Sequence, residues 1–594
     1  MIDRYTRSIA CVWSSENFSV TLLYQKLDRV NTTDKETCRL LIELLVAHGV
    51  TDVVLSPGSR NTPLIIAANR HEKLRTHVVI DERCAAFFGL GIALQTERPV
   101  ALICTSGSAV LNYGPAIAEA YYRRVPLIAI SADRPEEWID QDDSQTIRQF
   151  GALENIVKGS FDIYGDNSDK VQRSYANRAI NDALILAKKG PKGPVHINVR
   201  LDEPLSGLAA PKSNAIPKIE LIGCEEKGLA EDINQMLAKR VTGKKVMIIA
   251  GFGHGGPRLD KALDDFIKKN GAVVLHEAQS NIHPALSISH IDVTLTTFSD
   301  AEINDLRPDI VISFGGAILS RIIKNYLRSS TKKIEHWHIA ESINAIDCFL
   351  ALSKRIECDP TAFFEGLAKA CPPAKPSTNS YLKQWREKAG QAKAKLLSFF
   401  QTCPWSNFYA MGQLMKIAPR KWNLHFSNGT AIRYAQVFDY SAFERIECNR
   451  GVSGIDGATS TAIGSHLYYD DITLLVTGDM SAQYDMGALA LTEITPRFKM
   501  AVLNNNGGGI FRYIKSTSVL EECEECFAAD VRLPLEKLAE AYGFAYFEVS
   551  DRQSFDKVFA MFVSEKEKPA ILNIITPAQE SADVLKQFFH REKK

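Results

Sequence analysis

Asp479 and Asn506 are the residues whose type and surroundings most directly suggest chemistry in this chain. Asp479 follows the β-rich run Thr473 to Thr477 in Gly478-Asp479-Met480-Ser481, and Asn506 follows Met500 to Leu503 in Asn504-Asn505-Asn506-Gly507-Gly508-Gly509. Both stand where parallel strands would end, the edge at which open α/β sheets bind ligands. A carboxylate and an amide offer hard oxygens, and the glycines let backbone groups come close to a ligand. Such a set suits Mg²⁺ carrying a diphosphate, because magnesium takes few protein oxygens and completes its shell with phosphate oxygens. Two other clusters compete. Gly251-Phe252-Gly253-His254-Gly255-Gly256 follows an apolar run and matches a dinucleotide-binding pattern, with Glu277 as a loose acidic partner. The same glycines would equally serve a tight strand-to-helix turn that binds nothing. Cys523-Glu524-Glu525-Cys526 has no second ligand pair nearby at zinc-site spacing.

These residues need a scaffold, and 594 residues are too many for one hydrophobic core. With 45% apolar and 24% charged residues the balance is globular, which excludes disordered and fibrous classes. Lys plus Arg and Asp plus Glu both number 70, so no net field draws the chain to nucleic acid or an anionic membrane, and any anionic ligand must be held by local arginines. No apolar run approaches the roughly 18 residues that span a bilayer. The first residues, MIDRYTRSIACVWSSENFSV, lack the apolar region of a signal peptide, so a cytoplasmic enzyme is expected. The 12 cysteines are scattered without a disulfide framework.

Thr33-x-x-Glu36 reads as a capping box before a helix that Gly49 ends. β-rich runs then follow at Asp52 to Leu55, Val78 to Ile80, Val100 to Cys104, Leu127 to Ser131 and Val195 to Val199, each separated by a helix-length segment. The alternation restarts at Lys245 to Ala250, after the proline cluster Pro204 to Pro217, and again after Cys371 to Pro376. The third block holds Leu424 to Ser427, Thr473 to Thr477, Met500 to Leu503 and Ile571 to Ile575. The expected class is α/β, three doubly wound parallel-sheet domains at residues 33–208, 209–375 and 376–594 behind an extension at 1–32.

The spacing between Gly478-Asp479 and Asn505-Asn506 resembles the diphosphate and magnesium signature of thiamine diphosphate enzymes. Other stretches are similar to the menaquinone-pathway branch of that family: Ser56-Pro57-Gly58-Ser59-Arg60 with its following Thr62-Pro63-Leu64, Asp81-Glu82-Arg83, Thr105 to Ala109, Asp133-Arg134-Pro135, Gly193 to Asn198, Asn449-Arg450-Gly451 and Gly454 to Gly457. The resemblance runs from about Asn31 to the C-terminal region. It implies pyrimidine-binding, central Rossmann-like and diphosphate-binding domains, in that order, and thiamine diphosphate with Mg²⁺ or Mn²⁺ as cofactors. Asp479, Asn506 and Gly508 match the metal ligands, while Ile455, Met480, Ser481, Ile510 and Phe511 match cofactor contacts, Ile455 as the wedge beneath the two rings. Glu82 matches the catalytic carboxylate that bonds the aminopyrimidine ring; its segment is rich in Ala, Phe and Gly, whose low polarity favours a shared proton. Without the resemblance, Glu82 reads as a surface residue at a helix N-terminus.

The same resemblance implies decarboxylation of 2-oxoglutarate and conjugate addition of the succinyl unit to isochorismate, a transferase reaction. Arg433 and Arg450 would hold 2-oxoglutarate, and Ser59, Arg60, Arg134, Gln145 and Arg321 would hold isochorismate; planar guanidinium groups suit carboxylates better than lysine does. A homodimer or dimer of dimers is implied, with each site between subunits. The sequence departs from the family pattern at Ser144, where Asn is common, at Gly429, where a serine is expected beside Asn428, and at Ile322, where a Lys-Arg pair at this point would place a second charge; Lys324 lies one helical turn from Arg321. Rival readings are another thiamine diphosphate enzyme, such as an acetohydroxyacid synthase or a 2-oxo acid decarboxylase, a nucleotide-binding protein using Gly251 to Gly256, or a silent scaffold.

Overall fold

The computed structural model describes residues 31–165, 169–211, 217–222, 228–341, 345–372 and 379–590. Most of the expected extension, and parts of both proline-rich linkers, lie outside them. The chain divides into two compact units, 1–221 and 222–594.

In the first unit, β1 (Thr32–Thr33) pairs antiparallel with β8 (Leu208–Ala209). Between them lie β2 (Asp52–Leu55), β3 (Arg75–Val78), β4 (Val100–Cys104), β5 (Leu127–Asp133), β6 (Ser160–Tyr164) and β7 (Val195–Arg200). They form a sheet of order β3-β2-β4-β5-β7-β6 in which every pair is parallel. Runs such as Val-Ala-Leu-Ile-Cys in β4 are buried along their whole length because helices cover both faces. Two expectations need correction here. Thr33 is a strand residue rather than a helix cap: the helix Glu36–Ala47 starts from Lys35 without a side-chain cap, and Asp34 N donates to Gly207 O as part of the β1–β8 pairing. The second strand is Arg75–Val78, not Val78 to Ile80. Its inward residue is His77, fully buried against Asp52 at 3.1 Å, so a polar pair sits where an apolar run would have marked the strand. Val78 and Ile80 fall at and beyond its end, 63% and 79% exposed.

The second unit holds two sheets. β9 (Val246–Ala250), β10 (Val273–His276), β11 (Ile310–Phe314), β12 (Glu335–Ile339) and β13 (Leu352–Ile356) are ordered β10-β9-β11-β12-β13. β14 (Asn423–Phe426), β15 (Ile446–Cys448), β16 (Thr473–Gly478), β17 (Phe498–Asn504), β18 (Ala545–Val549) and β19 (Ala570–Ile575) are ordered β15-β14-β16-β17-β19-β18. All pairings are again parallel. The helix Pro257–Asn270 shows how pattern becomes packing: Leu259, Ala262, Leu263, Phe266 and Ile267 line its buried stripe, Pro257 opens it, and Gly271 in the left-handed region closes it. Each such side chain withdrawn from water contributes about 1.5–3 kcal/mol when large and apolar. The helix Asn379–Thr402 serves both sheets, with Tyr381 and Trp385 in the core beneath β9 and β10 and Ala392 and Leu396 in the core beneath β14 and β16. Among the described residues, no helix is long and apolar enough to cross a membrane.

The winding switches between β2 and β4, between β9 and β11, and between β14 and β16, and the first and third sheets turn back once more at their far edge, where β7 and β19 sit inside β6 and β18. The crevice beyond those strand ends is where such a sheet receives a ligand.

Candidate active site

The crevice beyond β14 and β16 is lined by the ends of β16 and β17 and the glycine-rich loop that follows. Asp479 begins the helix Asp479–Tyr484 at the end of β16 and is 1% exposed. One carboxylate oxygen accepts from Met480 N at 2.7 Å, and the other from Gly507 N at 2.8 Å and Asn505 N at 3.2 Å. Burial raises its proton affinity, while these three backbone donors pull it back down. Asn506 stands in the left-handed region at φ 56, exposed, with its amide nitrogen donating to Asp530 at 2.6 Å. Its Oδ1 accepts no hydrogen bond among the described residues. Gly507 has φ 128, and a Cβ there would lie 2.3 Å from Ala529 O. Gly508 N donates to Ala528 O at 2.7 Å, and a Cβ on Gly508 would meet Phe511 at 2.6 Å. The Asn506–Gly508 segment is thus pressed against residues 528–529 and opens into the short helix Gly509–Tyr513. Ser481 Oγ donates to Ile455 O at 2.6 Å, which brings the Ile455 loop to the same place. The structure therefore gathers Ile455, Asp479, Met480, Ser481, Asn506, Gly508, Ile510 and Phe511 around one crevice. A carboxylate, an uncommitted amide oxygen and a backbone carbonyl are the hard donor set that Mg²⁺ takes, so these residues fit a magnesium diphosphate.

Beside it lies a pocket of positive charge. Arg433, on the helix Thr430–Ala435, is held below the usual arginine range by burial, then by the neighbouring Arg450 and Arg321, with Asp292 and Tyr513 opposing. Arg450 donates to Asn428 Oδ1 at 2.9 Å. The Nε atoms of Arg433 and Arg450 are buried without a protein partner, an arrangement that calls for an anionic ligand. Of the departures, Gly429 has φ 95, where a serine would be strained, so the backbone here demands the glycine. Ile322 packs against the core near Ile323 and Trp385. Lys324 does not reach out as a free charge: its ammonium donates to Ile318 O at 2.6 Å, and burial lowers its proton affinity.

In the first unit, Glu82 is the first residue of the helix Glu82–Thr96, behind Asp81, whose carboxylate caps it by accepting from Arg83 N and Cys84 N. Glu82 is half-buried, and its hydrogen bond from Asn112 is long, at 3.5 Å. Arg60, 6% exposed, donates to Leu201 O at 3.0 Å and faces Glu203 at 3.4 Å. Burial, then the nearby Arg134, lower its proton affinity. Arg134 pairs with Asp143 at 2.8 Å and keeps its Nε buried and unpartnered. Gln145, at φ 57, donates to Ser106 O, and Ser144 N is capped by Asp143. Ser59 is exposed and its carbonyl accepts from the Thr62 hydroxyl at 2.7 Å. Ser59, Arg60, Arg134 and Gln145 all stand beyond the C-terminal ends of β2, β4 and β5. Glu82 and the cradle lie in different units.

The middle crevice, beyond β9 and β11, is closed. A Cβ on Gly251 would lie 1.9 Å from Gly316 O, and Gly316 N donates to Phe252 O. Gly251, Gly253 and Gly255 spend their N–H groups on Phe314, Gln279 and Asn281 carbonyls. Glu277, the supposed ribose acceptor, is 2% exposed and accepts from Leu319 N, Ser320 N and the Gln279 amide instead. These glycines serve close backbone packing. Cys523 is buried and Cys526 exposed, and no group of three or more His, Cys, Asp or Glu able to hold a metal occurs among the described residues. Sequence reasoning did not single out Asp292, Asp530 or the Arg512–Glu524 ion pair at 2.8 Å, because their roles depend on contacts distant in the chain.

Residues 35–152 match the family model "Thiamine pyrophosphate enzyme, N-terminal TPP binding domain", and residues 226–424 match "Middle domain of thiamine pyrophosphate". Among curated relatives, the 2-succinyl-5-enolpyruvyl-6-hydroxy-3-cyclohexene-1-carboxylate synthase of Porphyromonas gingivalis is 38% identical, covering 94% of this chain and 97% of its own. The proteins of the same name from Flavobacterium johnsoniae and Bacteroides fragilis are 37% and 35% identical, covering 92% and 94% of this chain and 97% and 100% of their own. Taken with three parallel α/β sheets and the oxygen-lined crevice at Asp479, these matches show that the chain belongs to the thiamine pyrophosphate enzyme family, in the branch of the 2-succinyl-5-enolpyruvyl-6-hydroxy-3-cyclohexene-1-carboxylate synthases.

Proposed function

We propose that the protein decarboxylates 2-oxoglutarate and joins the resulting succinyl unit to isochorismate, giving 2-succinyl-5-enolpyruvyl-6-hydroxy-3-cyclohexene-1-carboxylate and CO₂ in menaquinone biosynthesis. The observation that carries the substrate assignment is the three-arginine pocket, with two buried Nε groups lacking partners, beside the Asp479 cradle. A neutral chain concentrates charge in this way where a dianion must be held. Thiamine diphosphate, when bound, supplies the electron sink for the carbanion equivalent left by loss of CO₂.

In this reading Asp479, the Asn506 amide oxygen and the Gly508 carbonyl hold Mg²⁺ or Mn²⁺. Met480, Ser481, Ile510 and Phe511 line the cofactor, and Ile455 wedges beneath it. Glu82 is the catalytic residue, sharing a proton with the aminopyrimidine ring. Arg433 and Arg450 hold 2-oxoglutarate; Ser59, Arg60, Arg134, Gln145 and Arg321 hold isochorismate. The arginine pocket also excludes water, which would protonate the succinyl unit and divert it to succinic semialdehyde. Three domains at about 33–208, 209–375 and 376–594 would supply these groups. We further assign the protein to the cytoplasm as a homodimer or dimer of dimers with sites shared between subunits. The exposed apolar residues beside Glu82 support that assembly, Val78, Ile80 and Leu111 being 63%, 79% and 50% exposed.

The test is incubation with thiamine diphosphate, Mg²⁺, 2-oxoglutarate and isochorismate. CO₂ release matched by isochorismate consumption, lost when either cofactor is withheld, is expected. Turnover of pyruvate with no isochorismate consumption would place the chain among the decarboxylases or acetohydroxyacid synthases instead.

A further inference from the structure

Glu277 is a buried carboxylate that no step above employs. It follows β10 and opens the turn Ala278–Ser280, which Ser280 Oγ ties to β9 by donating to Ala250 O at 2.8 Å. One carboxylate oxygen accepts from Ser320 N at 2.6 Å, and the other from Leu319 N at 2.7 Å and Gln279 Nε2 at 2.8 Å. Ser320 is the residue from which the helix Arg321–Arg328 starts: its hydroxyl accepts from Ile323 N at 3.0 Å and donates to Asp292, whose charge in turn opposes that of Arg433. On the far side of the same turn, Gln436 donates to Gln279 Oε1 at 2.6 Å and accepts from Ala278 N at 3.1 Å. Gln436 caps the helix that carries Arg433. The turn headed by Glu277 therefore binds the start of the Arg321 helix on one side and the end of the Arg433 helix on the other.

We infer that Glu277 is a positioning residue for Arg321: its two oxygens hold the Leu319–Ser320 turn from which that arginine departs, and so set where the guanidinium stands relative to Arg433. Both carboxylate oxygens act as acceptors here. A glutamine offers one acceptor oxygen, and its amide nitrogen would face either Leu319 N or Ser320 N, donor against donor. A side chain kept merely to fill this space would avoid the cost of burying a carboxylate, which here pushes its proton affinity up to about 7 against the pull of the two backbone donors. The assignment of Arg321 to isochorismate rests on the function proposed above; the geometry of the turn does not.

The test uses Glu277→Gln in the full-length protein, with Glu277→Asp as a second variant that keeps the charge but shortens its reach. Hydrogen exchange in the cofactor-free protein should show the Leu319 and Ser320 amides exchanging about tenfold faster or more, with the Asn505 and Gly507 amides unchanged. In the loaded enzyme, the KM for isochorismate should rise about tenfold while the KM for 2-oxoglutarate changes less than about twofold. Glu277→Gln added to Arg321→Ala should cost nothing beyond Arg321→Ala alone, because both act through the same guanidinium. Unchanged exchange, additive losses, or equal rises in both KM values overturn the inference. If the wild type fails to consume isochorismate, the proposed reaction falls, and the exchange measurement still decides the role of Glu277.

Discussion

Asp479 and Glu82 are carboxylates at the starts of helices that follow parallel strands, yet their settings are opposites. Asp479 is 1% exposed and accepts from three backbone N–H groups between 2.7 and 3.2 Å, so its orientation is complete within its own unit. Glu82 is half-buried, holds one 3.5 Å contact, and is flanked by Val78 and Ile80 laid open to solvent. A metal ligand must be rigid before the ion arrives, because magnesium tolerates little departure from octahedral geometry. A group that exchanges a proton with a ligand needs room and an environment that the ligand itself completes. On the proposed function the two carboxylates divide holding from chemistry, and that division can be attacked experimentally.

The largest effect is expected at Glu82. Glu82→Gln should lower turnover by about 10²–10⁴ while titrations of thiamine diphosphate with Mg²⁺ show uptake within about twofold of wild type. Full turnover in this variant would remove the proton-sharing role. Asp479→Ala should do the reverse in order of cause, weakening magnesium-dependent cofactor uptake by about a hundredfold or more, with activity falling because the site is empty; unchanged affinity would show that the metal is held elsewhere. Gly507→Ala sharpens the point about preformed rigidity. Its φ of 128 and the 2.3 Å approach to Ala529 O leave no place for a Cβ, so a stability loss of about 1–3 kcal/mol in thermal unfolding is expected, with weaker metal uptake. An alanine that left both untouched would mean the loop is free to re-form.

The smallest effect concerns two buried imidazoles, one in the first sheet and one in the middle sheet. Burial lowers His196, in the first unit, to about 4 and His276, in the second, to about 3. Their folded values lie below the unfolded 6.5, so the stability they confer is fully present above that pH and drains away as pH falls toward 4 and 3. Imidazole NMR should find both neutral at pH 5; titration of either near 6.5 would contradict its packing.

Much of the α/β architecture was legible because parallel strands buried on both faces read as short apolar runs, as β4 and β9 do. β3 escaped since its inward residue, His77, is polar and hydrogen-bonded to Asp52, a partner 25 positions away. Thr33 misled in the other direction: a local capping pattern lost to pairing with β8, whose residues lie at the far end of the unit. The two glycine loops make the same point at the level of function. Gly251 to Gly256 and Gly507 to Gly509 both follow parallel strands, but the first spends its N–H groups on neighbouring carbonyls while the second turns two of its loop amides, from Asn505 and Gly507, onto Asp479. Spelling does not distinguish them, because what matters is which atoms fill the crevice opposite.

Residue types and spacing along the chain were enough to specify the succession of strands, the oxygen donors at Asp479 and Asn506, and the arginines available for anions, since these follow from local pattern and side-chain chemistry. The tertiary structure alone decided that the Gly251 loop is filled by backbone, that Arg321, Arg433 and Arg450 come within electrostatic reach of one another, and that Glu277 braces a turn rather than meeting a ribose. Those outcomes depend on burial and on contacts between segments from tens to more than a hundred residues apart, and free energies of that kind exist only once the chain has folded.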